Sequence, residues 1–326
     1  MSLATRETIE TKLVDSVCRL YGLTPTTYTI PNKGYRNRSY GFIAGKEHYN
    51  LLLYKREARA LELIKRANSV GDTLANSRFP ARQTVDGRII RVGNRLACLY
   101  QYIPGVTIPW EAYTRRHLTE LGSTMAQMHH LLSKTSLILP AVEDVLKAQL
   151  AEMSVYFNQP GVLRALQIKL RLALTTKDLV GYAVTIDELK TLSGRQPLHM
   201  DYVRGNILFD ESAAAPTITG VIDFEKAAMG HPLVDAARTL AFLAVDCKYQ
   251  TPARAQRYFL HTGYLNNAAD LENEMSTNLF TQVINLFLLH DFYKFLLHNP
   301  YEALNENHHF RRTAALLVQK RLLRLL

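Results

Sequence analysis

The chain has little of what a secreted scaffold or a membrane protein needs. Its 326 residues include only three cysteines, Cys18, Cys98 and Cys247, far apart and with no CxxC pair. That excludes a disulfide framework and a thiolate zinc site, and it fits a reducing compartment. No apolar run is long and clean enough to span a bilayer. The most apolar helical stretch, Asn278 to Leu297, is interrupted by Asn285, His290, Asp291 and Lys294 and reads as a buried helix. The opening MSLATRETIETK lacks the apolar core of an export signal, so a cytoplasmic location without membrane attachment is expected. Internal repeats and low-complexity tracts are missing too, and 47% apolar with 21% charged residues excludes a disordered chain.

There is an excess of positive charge. Thirty-nine Lys and Arg against 29 Asp and Glu give a formal charge of +10, which favours anionic partners such as phosphates. The basic groups Arg164, Lys169, Arg171 and Arg311, Arg312, Lys320, Arg321, Arg324 are spread around helices without interleaved stacking aromatics. They read as solvated faces, and no nucleic-acid partner is expected.

Hydrophobic periodicity divides the chain in two. A first helix at 3–22 precedes short β-prone runs at 28–30, 39–44 and 48–54, a helix at 56–70, and strands at 88–92 and 96–103, with turn-forming Gly45-Lys46, Asp86-Gly87 and Gly93-Asn94 between them. Pro104-Gly105 ends this β-rich part. Helical patterns follow at about 114–133, 141–156, 160–175, 232–265 and 277–325, and a strand pair, Asn206 to Phe209 and Ile218 to Asp223, is set among them. The fold class is α+β, with a small antiparallel lobe over 1–103 and a larger helical lobe over 104–326.

Chemistry concentrates in Leu198-His199-Met200-Asp201-Tyr202-Val203-Arg204-Gly205-Asn206-Ile207-Leu208-Phe209 and in Val221-Ile222-Asp223-Phe224-Glu225. Phosphoryl transfer asks a protein mainly to align the acceptor hydroxyl and to neutralise the moving charge with a divalent ion. Asn206 offers an amide oxygen and Asp223 a carboxylate, both hard ligands suited to Mg²⁺. Asp201, five residues before Asn206, is placed on the same loop to orient an acceptor and take its proton. Any one of these residues alone would read as a loop polar residue. The HxDxxxxN spacing running into an apolar strand, with a second apolar strand ending in Asp, is a far more specific signal.

These segments resemble the catalytic loop and metal-binding Asp of the aminoglycoside phosphotransferase and choline kinase superfamily, relatives of protein kinases. The family pattern HGDLHPGNIL followed by GVIDWxxAxxGDPxxDLA reads here as HMDYVRGNIL and GVIDFEKAAMGHPLVDAA. The resemblance implies a two-lobed protein-kinase-like fold with ATP and Mg²⁺ as cofactors. It makes Asp201 the catalytic base and Asn206 and Asp223 the metal ligands, with His199 and Asp235 as supports, and gives His129 a structural place in the LAxLH helix. His231 stands where the family has Asp in GDP.

The β-rich half follows family order with weaker motifs. The turn Lys33 to Tyr40, which contains Asn37, sits where the family covers phosphates, and it reads equally as a plain hairpin turn. The third strand should carry a phosphate-gripping cation. Aligned by its aromatic start, His48 to Tyr54 puts Leu52 at that position; aligned by its end, it puts Lys55 there, and Lys55 is preferred. Glu57, in the spacing Glu57, Leu61, Ile64, is the candidate ion-pair partner or else a helix-start carboxylate favoured by the dipole. Backbone groups near Gln101 and Ile103 correspond to the adenine-binding segment joining the lobes.

The implied reaction is transfer of the γ-phosphoryl group of Mg²⁺-ATP to a hydroxyl of a small molecule: an amino alcohol, aminosugar, sugar or homoserine-like compound. The small excess of Lys and Arg near the C-terminus weighs against a cationic aminoglycoside. The alternative, motivated by Leu52, is a nucleotide-binding regulator with weakened catalysis. A metal-dependent phosphohydrolase would need further regularly spaced His or Asp ligands. The pair His308-His309 reads as solvated, and Trp110 as packing.

Overall fold

The computed structural model describes residues 3–28, 32–33, 37–172, 174, 176–247, 250–268, 275–299 and 308–319. It divides into two compact units, one of Met1–Gly105 with Thr219–Lys226 and one of Val106–Ile218 with Ala227–Leu326.

The first unit begins with helix α1 (Leu3–Leu20), followed by strands β1 (Thr27–Tyr28), β2 (Asn32–Lys33), β3 (Arg38–Ala44) and β4 (Glu47–Tyr54), helix α2 (Ala60–Asn76), and strands β5 (Thr84–Val92) and β6 (Arg95–Gln101). The strands form one antiparallel sheet in the order β1-β3-β4-β6-β5, with β2 paired to β3. Gly45, at φ 64°, supplies the left-handed residue that the tight β3–β4 turn requires. Residues 29–31 and 34–36, parts of the expected first strand and phosphate turn, lie outside the described residues.

Side-chain alternation in β4 gives the sheet two faces. Leu51 and Leu53 pack with Tyr40, Phe42, Leu99 and the α1 residues Val14, Val17 and Cys18. Leu52 and Tyr54 pack on the other face with Cys98, Tyr100 and Ile64 of α2. Burying a side chain of this size contributes roughly 1.5–3 kcal/mol, so the β4 register is set by its leucines. A slip of one residue would exchange the two faces.

The second unit contains α3 (Arg115–Leu132), α4 (Val142–Phe157), α5 (Pro160–Leu170), α6 (Thr176–Leu189), β7 (Gln196–Leu198), β8 (Ile207–Phe209), then beyond β9 (Ile218–Val221) the strand β10 (Ala228–Gly230), α7 (Pro232–Asp246), α8 (Pro252–Ala255), α9 (Thr277–His298) and α10 (His308–Gln319). β7 pairs antiparallel with β10. Buried Glu143 of α4 accepts two bonds from the Arg195 guanidinium, at 2.6 and 2.8 Å, and Arg195 also donates to Met229 O, which braces the β7–β10 corner.

Several helix limits differ from the periodicity. The expected helix at 56–70 starts four residues later, at Ala60. The one at 160–175 stops at Leu170 because Arg171 adopts φ 53°. The stretch 232–265 is not continuous. α7 ends at Asp246, Pro252 opens α8 with Thr251 as its cap, and a π-helical stretch runs over Gln256–Tyr264. The pattern at 277–325 yields α9 and α10, and α6 lies outside every expected helix. α9, over the most apolar stretch, is buried along most of its length, and no described helix is long and apolar enough to cross a membrane. Arg164, Lys169 and Arg171 are exposed, whereas Lys320, Arg321 and Arg324 lie outside the described residues.

Gly122 of α3 and Gly263 let two backbones meet: a Cβ on Gly122 would lie 2.1 Å from Phe259 O, and one on Gly263 2.5 Å from Thr119 O. This close approach sets Tyr264 against α3, where it meets His129.

Candidate active site

In the second unit, the loop after β7 carries His199, Met200 and Asp201 and closes in a 3₁₀ turn, Arg204–Asn206. The Val203 N–H donates to Asp201 O at 2.8 Å and the Asn206 N–H to Val203 O at 2.8 Å. The Asn206 amide nitrogen donates to Asp201 O at 2.9 Å and to its carboxylate Oδ2 at 3.3 Å. With its nitrogen committed to Asp201, Asn206 has its carbonyl Oδ1 as the atom that can meet a cation. Asp201, Asn206 and His199 are all buried.

Asp235, fully buried in the first turn of α7, holds this loop from beneath. Its Oδ2 accepts the His199 N–H at 2.7 Å and its Oδ1 the Met200 N–H at 2.9 Å. His199 Nδ1 in turn accepts the Asp201 N–H at 3.1 Å. On its far side, Asp235 Oδ2 lies 3.1 Å from His129 Nε2, and His129 Nδ1 lies 2.7 Å from the Tyr264 hydroxyl. Burial alone would push the Asp235 carboxyl up. The hydrogen bond and charge of His129, with the neighbouring His199 and its backbone N–H, outweigh that and hold it below its ordinary value.

Met200 occupies φ 59°, a left-handed conformation that costs a non-glycine residue about 1–2 kcal/mol. Both its backbone groups are pinned, the N–H by Asp235 and the carbonyl by Arg238 Nε at 2.6 Å. Gly in the family pattern HGD would adopt this conformation without strain. His231, where the family has Asp, caps α7: its Nδ1 accepts the Leu233 N–H at 3.3 Å.

Arg238 is a site residue that the motifs did not single out. Its Nη2 stands 3.5 Å from Asp201 Oδ1, both side chains are largely buried, and its guanidinium lies over the rings of Phe242 and Phe287. The available signal was spacing: Arg238 is three residues after Asp235, on the same face of α7.

In the first unit, Asp223 follows β9 in the left-handed region, at φ 68°, a conformation Asp tolerates better than most residues. The Val221 N–H donates to Pro80 O at 2.7 Å and the Arg82 N–H to Val221 O at 3.0 Å, so the strand leading to Asp223 is tied to the segment after α2. Phe224 is buried behind it. Lys55, Glu57, Asn37 and Glu225 line one cavity, together with Tyr54 and Leu63. Asn37 links its walls, accepting the Lys55 N–H at 3.2 Å and donating to Glu225 Oε1 at 3.3 Å. The Lys55 side chain is exposed. Leu52 is 5% exposed within the apolar face of the sheet. The Gln101 N–H donates to Gln83 O at 3.0 Å, and the Ile103 backbone makes no hydrogen bond among the described residues.

Asn206 Oδ1 and the Asp223 carboxylate are each hard oxygen donors of the kind Mg²⁺ takes, and Mg²⁺ commonly keeps water and binds phosphate oxygens alongside one or two protein ligands. Among the described residues no group of three His, Cys, Asp or Glu could hold a metal without such help.

The chain matches the Phosphotransferase enzyme family over residues 27–266. No curated protein sequence matches it. Solved structures share the fold at low identity. A GDP and kanamycin complex of APH(2")-IIia is 16% identical over 94% of this chain and 97% of that one, with a TM-score of 0.63. The amicoumacin kinase hAmiN, in complex with AMP-PNP, Ca²⁺ and Ami, is 14% identical over 95% and 94%, at 0.61. Aminoglycoside phosphotransferase APH(4)-Ia is 16% identical over 95% and 99%, at 0.59. With its family match covering well over half of the sequence and its α+β kinase-like fold shared by these enzymes, the chain belongs to the phosphotransferase enzyme family.

Proposed function

We propose that this protein transfers the γ-phosphoryl group of Mg²⁺-ATP to a hydroxyl of a small molecule. The observation that carries the proposal is the loop His199–Asn206, in which Asp201 is fixed through its backbone by Asn206 and His199 and through its carboxylate by Arg238. Positioning contributes most in phosphoryl transfer, because little covalent chemistry is asked of the protein. Asp201 would orient the acceptor hydroxyl and receive its proton as the bond to the leaving group breaks. Asn206 Oδ1 and the Asp223 carboxylate would hold Mg²⁺, which when bound neutralises phosphate charge. The Ile103 backbone, beside Gln101 and with no hydrogen bond among the described residues, would offer the donor and acceptor that an adenine edge needs.

A small-molecule acceptor is supported by the family and by the solved neighbours, whose complexes contain kanamycin or amicoumacin. Leu52, buried and apolar at the expected cation position, favours the second reading, a nucleotide-binding regulator. One experiment separates the two: ADP or GDP release from ATP or GTP with Mg²⁺, against amino alcohols, aminosugars, sugars and homoserine. Acceptor-stimulated release supports the kinase. Metal-dependent nucleotide binding without stimulation by any acceptor supports the regulator.

A further inference from the structure

The face of the sheet that should present a phosphate-gripping cation presents none from β4. Leu52, paired with Cys98 of β6, is packed against Ile64 and Tyr100, and the neighbouring polar atoms form a closed neutral network. The Tyr54 and Tyr100 hydroxyls are 2.5 Å apart, Tyr100 donates to Asn68 Oδ1 at 2.7 Å, and Asn68 donates to Cys98 Sγ at 3.3 Å. Two cations reach this region, and one of them, Arg66, is committed to Glu62 Oε1 at 2.9 Å and to Glu225 O at 3.4 Å. The Arg82 guanidinium lies 5.3 Å from the centre of the Tyr100 ring, and it lines a cavity with Tyr54, Asn68, Asp223 and Glu225.

Three properties set Arg82 apart from Lys55. Its backbone is fixed to the strand that carries Asp223, through the Arg82 N–H to Val221 O bond and the neighbouring Val221 N–H to Pro80 O bond. It is half-buried, and among the described residues its guanidinium has no ion pair and no hydrogen bond. Its cavity includes Asp223, whereas the cavity lined by Lys55 does not. A guanidinium facing a wall with two carboxylates suits a phosphate chain that brings its own divalent cation: the fork binds phosphate oxygens and the carboxylate side tolerates the metal.

We propose that Arg82 is the phosphate-binding cation of this protein, gripping the α and β phosphates of the bound nucleotide in place of the missing strand cation. This rests on the phosphotransferase reading above.

The test is calorimetric titration of adenosine, AMP and ADP, with Mg²⁺, into the wild type, Arg82→Gln, Arg82→Lys and Lys55→Gln. The wild type should prefer ADP to adenosine. Arg82→Gln should weaken ADP by about tenfold or more, the scale of a lost charge-assisted contact, while adenosine binds unchanged. Arg82→Lys should keep most of the preference, and Lys55→Gln should keep all of it. Retained ADP preference in Arg82→Gln, or its loss in Lys55→Gln, would overturn the assignment. So would equal loss of adenosine and ADP in Arg82→Gln, since that is not a phosphate effect. If Arg82→Gln does not fold, Arg82→Met takes its place: ADP preference lost with adenosine binding intact supports the charge role, and ADP preference retained contradicts it. A wild type that binds none of the three ligands would instead remove the nucleotide-dependent function itself.

Discussion

Arg238 Nη2 lies 3.5 Å from Asp201 Oδ1 while Arg238 Nε donates to Met200 O at 2.6 Å. One buried guanidinium therefore fixes both the carboxylate proposed as base and the strained residue just before it. Breaking such a pair leaves an uncompensated buried charge, which costs about 3–5 kcal/mol. Arg238→Met should lower the stability of the protein on that scale in urea denaturation, and in the folded fraction it should lower kcat while leaving nucleotide affinity close to wild type. A variant with unchanged kcat would show that Asp201 is held without it.

Asp235 should make stability depend on acid pH. Its carboxyl is held below its ordinary value of 3.8 despite complete burial, because His129 and the His199 N–H favour the charged form. A carboxylate with a depressed folded value stabilises fully above the unfolded value and loses that contribution as pH falls through the folded one. The stability gap between wild type and Asp235→Asn should therefore be flat above about pH 5 and shrink below 3.8. Chemical denaturation across pH 3–7 checks this; a gap that widens toward low pH would contradict it.

His290 should act in the same direction at higher pH. It is buried in α9 and neither ring nitrogen has a hydrogen-bond partner among the described residues, Asp291 Oδ1 being 3.8 Å away. Burial, aided by Arg238 of α7 and by Lys294, outweighs Asp291 and lowers its titration from the ordinary 6.5. The unfolded chain then takes up a proton first, so stability falls as pH drops below 6.5. His290→Leu should flatten the stability profile between pH 7 and 5, and an unchanged slope would assign that pH dependence to other groups.

Much of the site was legible because its residues are close in sequence. HMDYVRGNIL folds into one loop whose hydrogen bonds join residues two to five apart, so spacing alone placed Asp201 and Asn206 together. The Tyr264–His129–Asp235 chain was not legible: its partners are 135 and 106 residues apart, and only the packing of α3 brings them together. Arg82 was hidden for the same reason, since its position follows from a bridge to Val221. The 232–265 pattern reads as continuous because apolar periodicity persists through the break that Pro252 ends.

Gly122 offers a mechanical test of the long-range support. An alanine Cβ would meet Phe259 O at 2.1 Å, so α3 and the stretch Gln256–Tyr264 must separate. Overpacking of this kind costs about 1–3 kcal/mol. Gly122→Ala should melt earlier and, by shifting Tyr264 away from His129, should reduce turnover more than nucleotide binding. Normal turnover in a destabilised Gly122→Ala would show that the catalytic loop does not depend on the Tyr264 contact.

The most direct measurement is acceptor-stimulated ADP release by Asp201→Asn, set beside its affinity for Mg²⁺-ATP. Affinity should stay near wild type while turnover falls by on the order of 10² or more, the scale of a lost positioned base. Turnover close to wild type in that variant would contradict the role of Asp201 and with it the phosphoryl-transfer site described above.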